Sequence, residues 1–138
     1  MYKKLLLLFS LGLAIFVSYS CTPESSMDNN TEDVEEIYYV KYASDELSTS
    51  NYYNITYSTE DGSSFRLSSI KGGDFERTIG PVSEGFNAEF KVECSASYPT
   101  TIAIRIEVKK GESPFVVKKE SIRAGTGSVS AVVSYTIE

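Results

Sequence analysis

The sequence contains no histidine and no tryptophan. Without histidine the chain lacks the commonest general base near neutral pH and the commonest metal ligand. It also lacks the usual activator of a serine or cysteine nucleophile. Cations are scarce too, with Lys and Arg totalling 13 against 19 Asp and Glu, for a net charge of −6. That balance argues against a nucleic-acid partner, because no basic excess is present to neutralise phosphates. There is no Ser-His-Asp set, no Cys/His cluster of metal-binding spacing and no phosphate-binding loop. "GTG" at 125–127 lacks the strand-then-helix context of a nucleotide site and is expected to be a turn. Glu60 and Asp61 stand without a ladder of Asp and Asn around them, so turn chemistry is expected there rather than calcium binding. These absences point to a protein that is not an enzyme and carries no cofactor or metal, with a small hydrolase as a remote alternative.

Long apolar runs are missing as well. The longest, Leu5–Val17, is interrupted only by Ser10 and Gly12 and covers 13 residues, short of the roughly 20 that cross a bilayer as a helix. Lys3 and Lys4 precede it, and Ser18, Tyr19 and Ser20 lead from it to Cys21. A charged start, an apolar middle and small residues before a cut are the layout of a secretory signal peptide. A small residue directly before a cysteine resembles the lipobox of bacterial lipoproteins, in the looser form of Bacteroidetes lipoproteins. The polar, acidic "CTPESSMDNN" that follows fits the same group. Ser18 replaces the usual aliphatic residue, and Tyr19 is bulky for its place. The resemblance implies cleavage before Cys21 and a diacylglycerol on its sulfur, often with a third, amide-linked chain such as palmitate. The protein would then be held on the outer or inner membrane of a cell envelope. Plain secretion and an uncleaved anchor are the alternatives. With Cys21 acylated no disulfide forms, and Cys94, in an alternating apolar strand, is expected to be an inert buried thiol.

Residues 21–36 follow the signal segment of residues 1–20. They carry Glu24, Asp28, Glu32, Asp33, Glu35 and Glu36 and no Lys or Arg. So few large apolar groups cannot offset the entropy of ordering, and a solvated tether is expected. Such a tether averages roughly 20 Å end to end and reaches at most about 50 Å. With 138 residues in all, the remainder, 37–138, suffices for one domain with a core.

From Ile37 onward the hydrophobic period is two. "EIYYVKYAS" (36–44) places Ile37, Tyr39 and Lys41 on one face and Tyr38, Val40 and Tyr42 on the other. "YYNITYS" (52–58) gathers Tyr53, Ile55 and Tyr57. "SFRLSSI" (64–70) returns after the "EDGS" turn, and "FERTI" (75–79) follows "KGGD". The two clearest strands are "FNAEFKVECS" and "TIAIRIEVK", followed by "FVVKKES" and, after "AGTGS", by "VSAVVSYTIE". No segment has a helical period long enough to matter, and no internal repeat is present. Half-apolar strands at short spacing predict an all-β, antiparallel fold, a β-sandwich of seven to eight strands, with a closed barrel as the alternative.

Two groups of residues are candidates for binding. Tyr38, Tyr39, Tyr52 and Tyr53 form adjacent pairs, and neighbours in a strand point to opposite faces. At least one of each pair is therefore expected to be partly exposed, where an aromatic row stacks on sugars or anchors a protein; cross-strand pairing that stabilises the sheet is the alternative. The second group is a basic edge of Lys109, Lys110, Lys118, Lys119 and Arg123, which either guards an edge strand or binds an anionic ligand.

"YNITYSTEDGSSF", "FERTIGPVSEGFNAEFKVE" and "TIAIRIEVKKGE" together resemble the extracytoplasmic domain of MmpS-like transport accessory proteins. In that family an "ITY" strand runs through a "DG" turn to a Pro or Gly corner, and a later strand ends in a Gly turn. The resemblance covers Tyr38 to Ile137. A lipobox replaces the family's membrane helix, and the tryptophan often found near the corner is absent. The resemblance implies an immunoglobulin-like β-sandwich without a catalytic set, serving an envelope machine. The lipobox and the missing catalytic set lead to the expectation of a lipid-anchored binding or adaptor module for a protein or glycan; an MmpS-like accessory subunit of an envelope transport complex is the alternative.

Overall fold

A computed structural model describes residues 35–138. The segment of residues 1–20, Cys21 and the tether as far as residue 34 lie outside the described residues. Alternation of apolar and polar side chains builds six strands: β1 (Tyr38–Asp45), β2 (Tyr52–Ser58), β3 (Ser64–Lys71), β4 (Phe75–Val82), β5 (Asn87–Lys110) and β6 (Val116–Thr136). Every pairing between them is antiparallel. Among the described residues no helix is long and apolar enough to cross a membrane.

The organising element is β5, 24 residues long. Ala88, Phe90, Val92, Cys94, Ala96, Thr100, Ile102, Ile104, Ile106 and Val108 are all buried, so the same face is inward in both parts of the strand, interrupted at Tyr98, which is 80% exposed. The first part of β5, Phe90–Cys94, pairs with β2, and the last part, Ala103–Lys110, pairs with β1. On its other side β6 follows it along both parts. β3 pairs outside β2 and β4 outside β1. The single sheet, ordered β3-β2-β5-β1-β4 with β6 also on β5, thus contains two halves that share one long ribbon.

That ribbon bends in the middle. Ala96 faces Gly127 and Thr100 faces Gly125, so Ser97, Tyr98 and Pro99 stand opposite Thr126 alone. Extra residues on one strand break the ladder and kink it, as in an enlarged β-bulge. Pro99 has no N–H to offer a ladder, and it falls where the ladder is interrupted. Gly127 supplies the positive φ of 75° on the facing strand.

These residues correct two expectations. "FNAEFKVECS" and "TIAIRIEVK" belong to one strand, as do "FVVKKES" and "VSAVVSYTIE". "GTG" is part of bent β6 and not a turn between strands. The count is therefore six strands rather than seven or eight. Proline and glycine usually stop strands, but here Pro99 falls opposite the segment between Gly125 and Gly127, and both strands bend together. By contrast, "EDGS" makes the expected hairpin. The Gly62 N–H donates to the Thr59 carbonyl at 2.9 Å, and that of Thr59 donates to Ser63 at 2.8 Å. Gly62 takes φ 78°, the conformation such a loop requires.

The bend turns the two halves toward each other, and aromatic rings fill the space between them. Tyr42 of β1 lies 5.5 Å from Tyr57 of β2 and 5.4 Å from Phe90 of β5, centroid to centroid. Phe75 of β4 lies 5.8 Å from the same Phe90. Val40, Ile55, Val92, Ile102 and Ile106 complete the fully buried centre, each worth about 1.5–3 kcal/mol of transfer free energy. A buried hydrogen bond ties the ring cluster to β2: the Tyr42 hydroxyl donates to the Ser58 carbonyl at 3.0 Å. The Tyr53 hydroxyl is equally buried and has no partner among the described residues.

The same chemical change should therefore have opposite results at these two tyrosines. Tyr42→Phe is expected to lower the unfolding free energy by about 1 kcal/mol, because the Ser58 carbonyl loses its donor in a dry site. Tyr53→Phe is expected to leave it unchanged or raise it, since an unpaired hydroxyl leaves the core. Urea unfolding of the two variants beside the parent chain checks both.

Candidate interaction surface

Strand alternation divides the tyrosine pairs. Tyr38 and Tyr53 face inward and are buried. The Tyr38 hydroxyl donates to Glu36 at 2.8 Å. Tyr52 is 63% exposed on the outer face of β2, whereas Tyr39 is half-buried on the outer face of β1, with the Lys109 ammonium 4.9 Å from its ring centre. β1 and β2 belong to different halves of the sheet. The four candidates therefore do not form a row. Of the other described tyrosines, Tyr42 and Tyr57 are core, Tyr135 is partly buried and Tyr98 is exposed.

Cys94 is buried opposite Tyr53, and burial pushes its thiol up, away from a reactive thiolate. Asp61, at the exposed hairpin tip, accepts from the Thr59 hydroxyl at 2.6 Å and from the Ser63 hydroxyl at 2.8 Å and its N–H at 3.0 Å. Those donors hold its carboxyl at about 2. Its lone pairs serve the turn. Among the described residues no group of three His, Cys, Asp or Glu side chains is placed to hold a metal ion.

A charged network covers the outer face where β1 and β5 meet. Lys41 and Glu107 are register partners, with the ammonium 2.7 Å from the carboxylate. Arg105 donates to the same carboxylate at 2.6 Å and also pairs with Asp45. Phe115 lies beside them, 4.8 Å from the Lys41 ammonium. Burial pushes the Glu107 carboxyl up, but the hydrogen bonds and charges of Lys41 and Arg105 outweigh it and leave the group below its ordinary value.

The adjacent corner behaves differently. Among the described residues Lys109, Lys118, Lys119 and Arg123 enter no ion pair, while Lys110 pairs with Glu36. Lys119 and Arg123 face Ile106 and Ile102 in the register and so lie on the core side of β6. They are nevertheless exposed, as is every residue of β6 from Val116 to Glu120. The facing half of the domain covers β6 only from Val129 onward, where Val129, Ala131 and Val133 are buried. Val116, Val117 and Ile122 remain 50–64% exposed.

The outer side of β6 is the main unsatisfied feature. Among the described strands β6 pairs with β5 alone, so the opposite edge of its 21 residues presents free N–H and C=O groups, about 70 Å of contour if fully extended. A bulge interrupts it at Lys118, between the Ile106–Lys119 and Glu107–Val117 pairs. Beside that bulge Val117, Lys118, Lys119 and Glu120 line an open hollow of about 550 Å³. Inward-pointing charges and a bulge are the usual guards against indiscriminate edge pairing. They leave room for a strand of complementary charge. The basic run at 118–123 marked this edge in the sequence. The placement of its cations on the core side was not visible there, because "VVKKESIRA" has no clean alternation.

Because the Glu107 carboxyl is depressed in the fold, its stabilising contribution is fully present above the unfolded value of about 4.3 and is lost as pH falls through the folded value. Glu107→Gln should therefore lower stability at neutral pH by about 2 kcal/mol. It should also flatten the fall in stability of the parent chain on acidification below about pH 4.3. Thermal melts across that range read both effects.

No protein-family model matches the chain, and no curated protein matches it.

Proposed function

We propose that this chain is a non-catalytic adaptor of the bacterial cell envelope, attached to the outer or inner membrane by lipid on Cys21, whose folded part binds a protein. The observation that carries it is the unpaired edge of β6, whose first half is exposed on both faces. Main-chain groups along such an edge give affinity to an added strand, and side-chain positions beside it give selectivity. A protein partner is favoured over a glycan because the exposed tyrosines, Tyr39 and Tyr52, lie on different halves of the sheet and form no stacking platform. Two facing sheet halves around an aromatic core support an immunoglobulin-like sandwich as the fold type. The MmpS-like motifs favour an envelope transport complex as the assembly served, with this chain as an accessory subunit.

Acyl chains contribute about 0.8 kcal/mol per buried methylene, and more than one gives stable attachment. Two measurements test the proposal. Mass spectrometry of the mature protein should find an acylated Cys21 as its first residue, and Cys21→Ser should move the protein from the detergent to the aqueous phase on partitioning. A photo-cross-linking residue in place of Ile122 should give discrete protein adducts in intact cells, and one in place of Tyr52 should not. An unmodified first residue elsewhere sinks the anchor. Adducts at position 52 without any at 122 sink the binding edge.

A further inference from the structure

We infer that the first half of β6 is a docking strand for an extended acidic segment of a partner protein, which adds to the sheet as a further strand. This partner chemistry presupposes the adaptor function proposed above and specifies what its edge selects. Residues on the core side of β6 recur with period two as Lys119, Ser121 and Arg123, because they face Ile106, Ile104 and Ile102 of β5. The outer side carries Val117 and Ile122, which face Glu107 and Ala103, with Glu120 facing Arg105. An incoming strand continues the same two faces. It therefore meets cations at two positions four apart on one side and a β-branched apolar residue on the other. Acidic side chains four residues apart on the first face, and Val, Ile or Thr on the second, satisfy both.

The surroundings reinforce the sign. Among the described residues Lys109, over the Tyr39 ring on the adjoining end of β5, enters no ion pair, and Lys118 stands out of register at the bulge. Of the carboxylates nearby, Glu107 is engaged by Lys41 and Arg105, Asp45 by Arg105 and Glu36 by Lys110, while Glu120, beside Lys119 on the outer side, enters no ion pair among the described residues and leaves the cations of the edge in excess. A cationic edge in a chain of net charge −6 is a local reversal of sign. It steers an acidic partner to this edge and repels basic ones. It also disfavours a second copy of the chain, since antiparallel pairing of two such edges opposes Lys and Arg with Lys and Arg.

The test uses the purified full chain in detergent and three synthetic peptides. One alternates Glu and Val, the second alternates Lys and Val, and the third repeats the first with alternate backbone amides N-methylated. The Glu–Val peptide should bind, more weakly at raised salt, and shift the backbone amide resonances of Val116–Arg123. The Lys–Val peptide should not bind. The N-methylated peptide keeps every charge but cannot complete a ladder, and it should bind about tenfold more weakly or worse. Exchanging Lys119 and Arg123 for Glu, positions exposed enough to leave the fold intact by circular dichroism, should exchange the preference for the first two peptides. Equal binding of the N-methylated peptide reduces the site to charge attraction and overturns strand addition. Sedimentation as a dimer through β6 overturns the acidic partner. So does binding that appears only after the acids of residues 22–36 are neutralised, which assigns the edge to the chain itself. Failure of all peptides alongside protein adducts at position 122 overturns the acidic chemistry while leaving the adaptor function standing.

Discussion

A ribbon of two long strands bends sharply only where both strands give way at the same place. In this domain that place is set by Ala96–Thr100 on β5 and Gly125–Gly127 on β6, which lie opposite each other in the register. Without the bend, the inward faces of β1 and β2 would lie side by side along one extended surface, and Tyr42, Phe75 and Phe90 would have no partners across it. With the bend, a single continuous sheet supplies both walls of its own core. Among the described residues the arrangement contains no helix and no disulfide. It places the burden of stability on shape complementarity among rings and branched side chains.

Folding one sheet on itself has a geometric cost at its margins. β5 is central where β2 and β1 pair with it, at Phe90–Cys94 and Ala103–Lys110, and β6 flanks its other side. Its second half reaches over the core and is apolar on that side, through Val129, Ala131 and Val133. Its first half projects past the cover and carries Lys119 and Arg123 on the equivalent face. One strand thus serves two solvents, and its composition changes at the glycines where the bend falls. The proposed binding edge is a product of the same geometry that makes the core.

Much of this was legible in the chain. Strict alternation grouped the inward residues of β2 and both parts of β5, because burial on one face imposes a period of two, and it separated the two faces of β1 without showing which turns inward. Alternation likewise forced the split within Tyr38/Tyr39 and within Tyr52/Tyr53. Continuity was not legible. Pro99 and the glycines at 125 and 127 carry the local chemistry of turns, and only their alignment across the ribbon shows that they bend strands. Nor does any local pattern reveal that β1 and β2 pair with different parts of β5, since such register is a property of distant segments. The cationic edge was marked by its residues, but its orientation depends on how far the opposite half extends, which is a tertiary fact.

The position of β5 in the chain also bears on how the domain is assembled. The strand that both halves share is fifth of six, and its long partner comes after it. β1 with β4, and β2 with β3, can form local pairs as soon as they emerge, yet each pair buries only one face and lacks its inner neighbour. Neither half can close until residues 87–110 appear, so a growing or translocating chain holds two unfinished ribbons in waiting. Acquisition of structure is thereby deferred to the arrival of the carboxy-terminal hairpin, which supplies the inner neighbour of both waiting pairs at once.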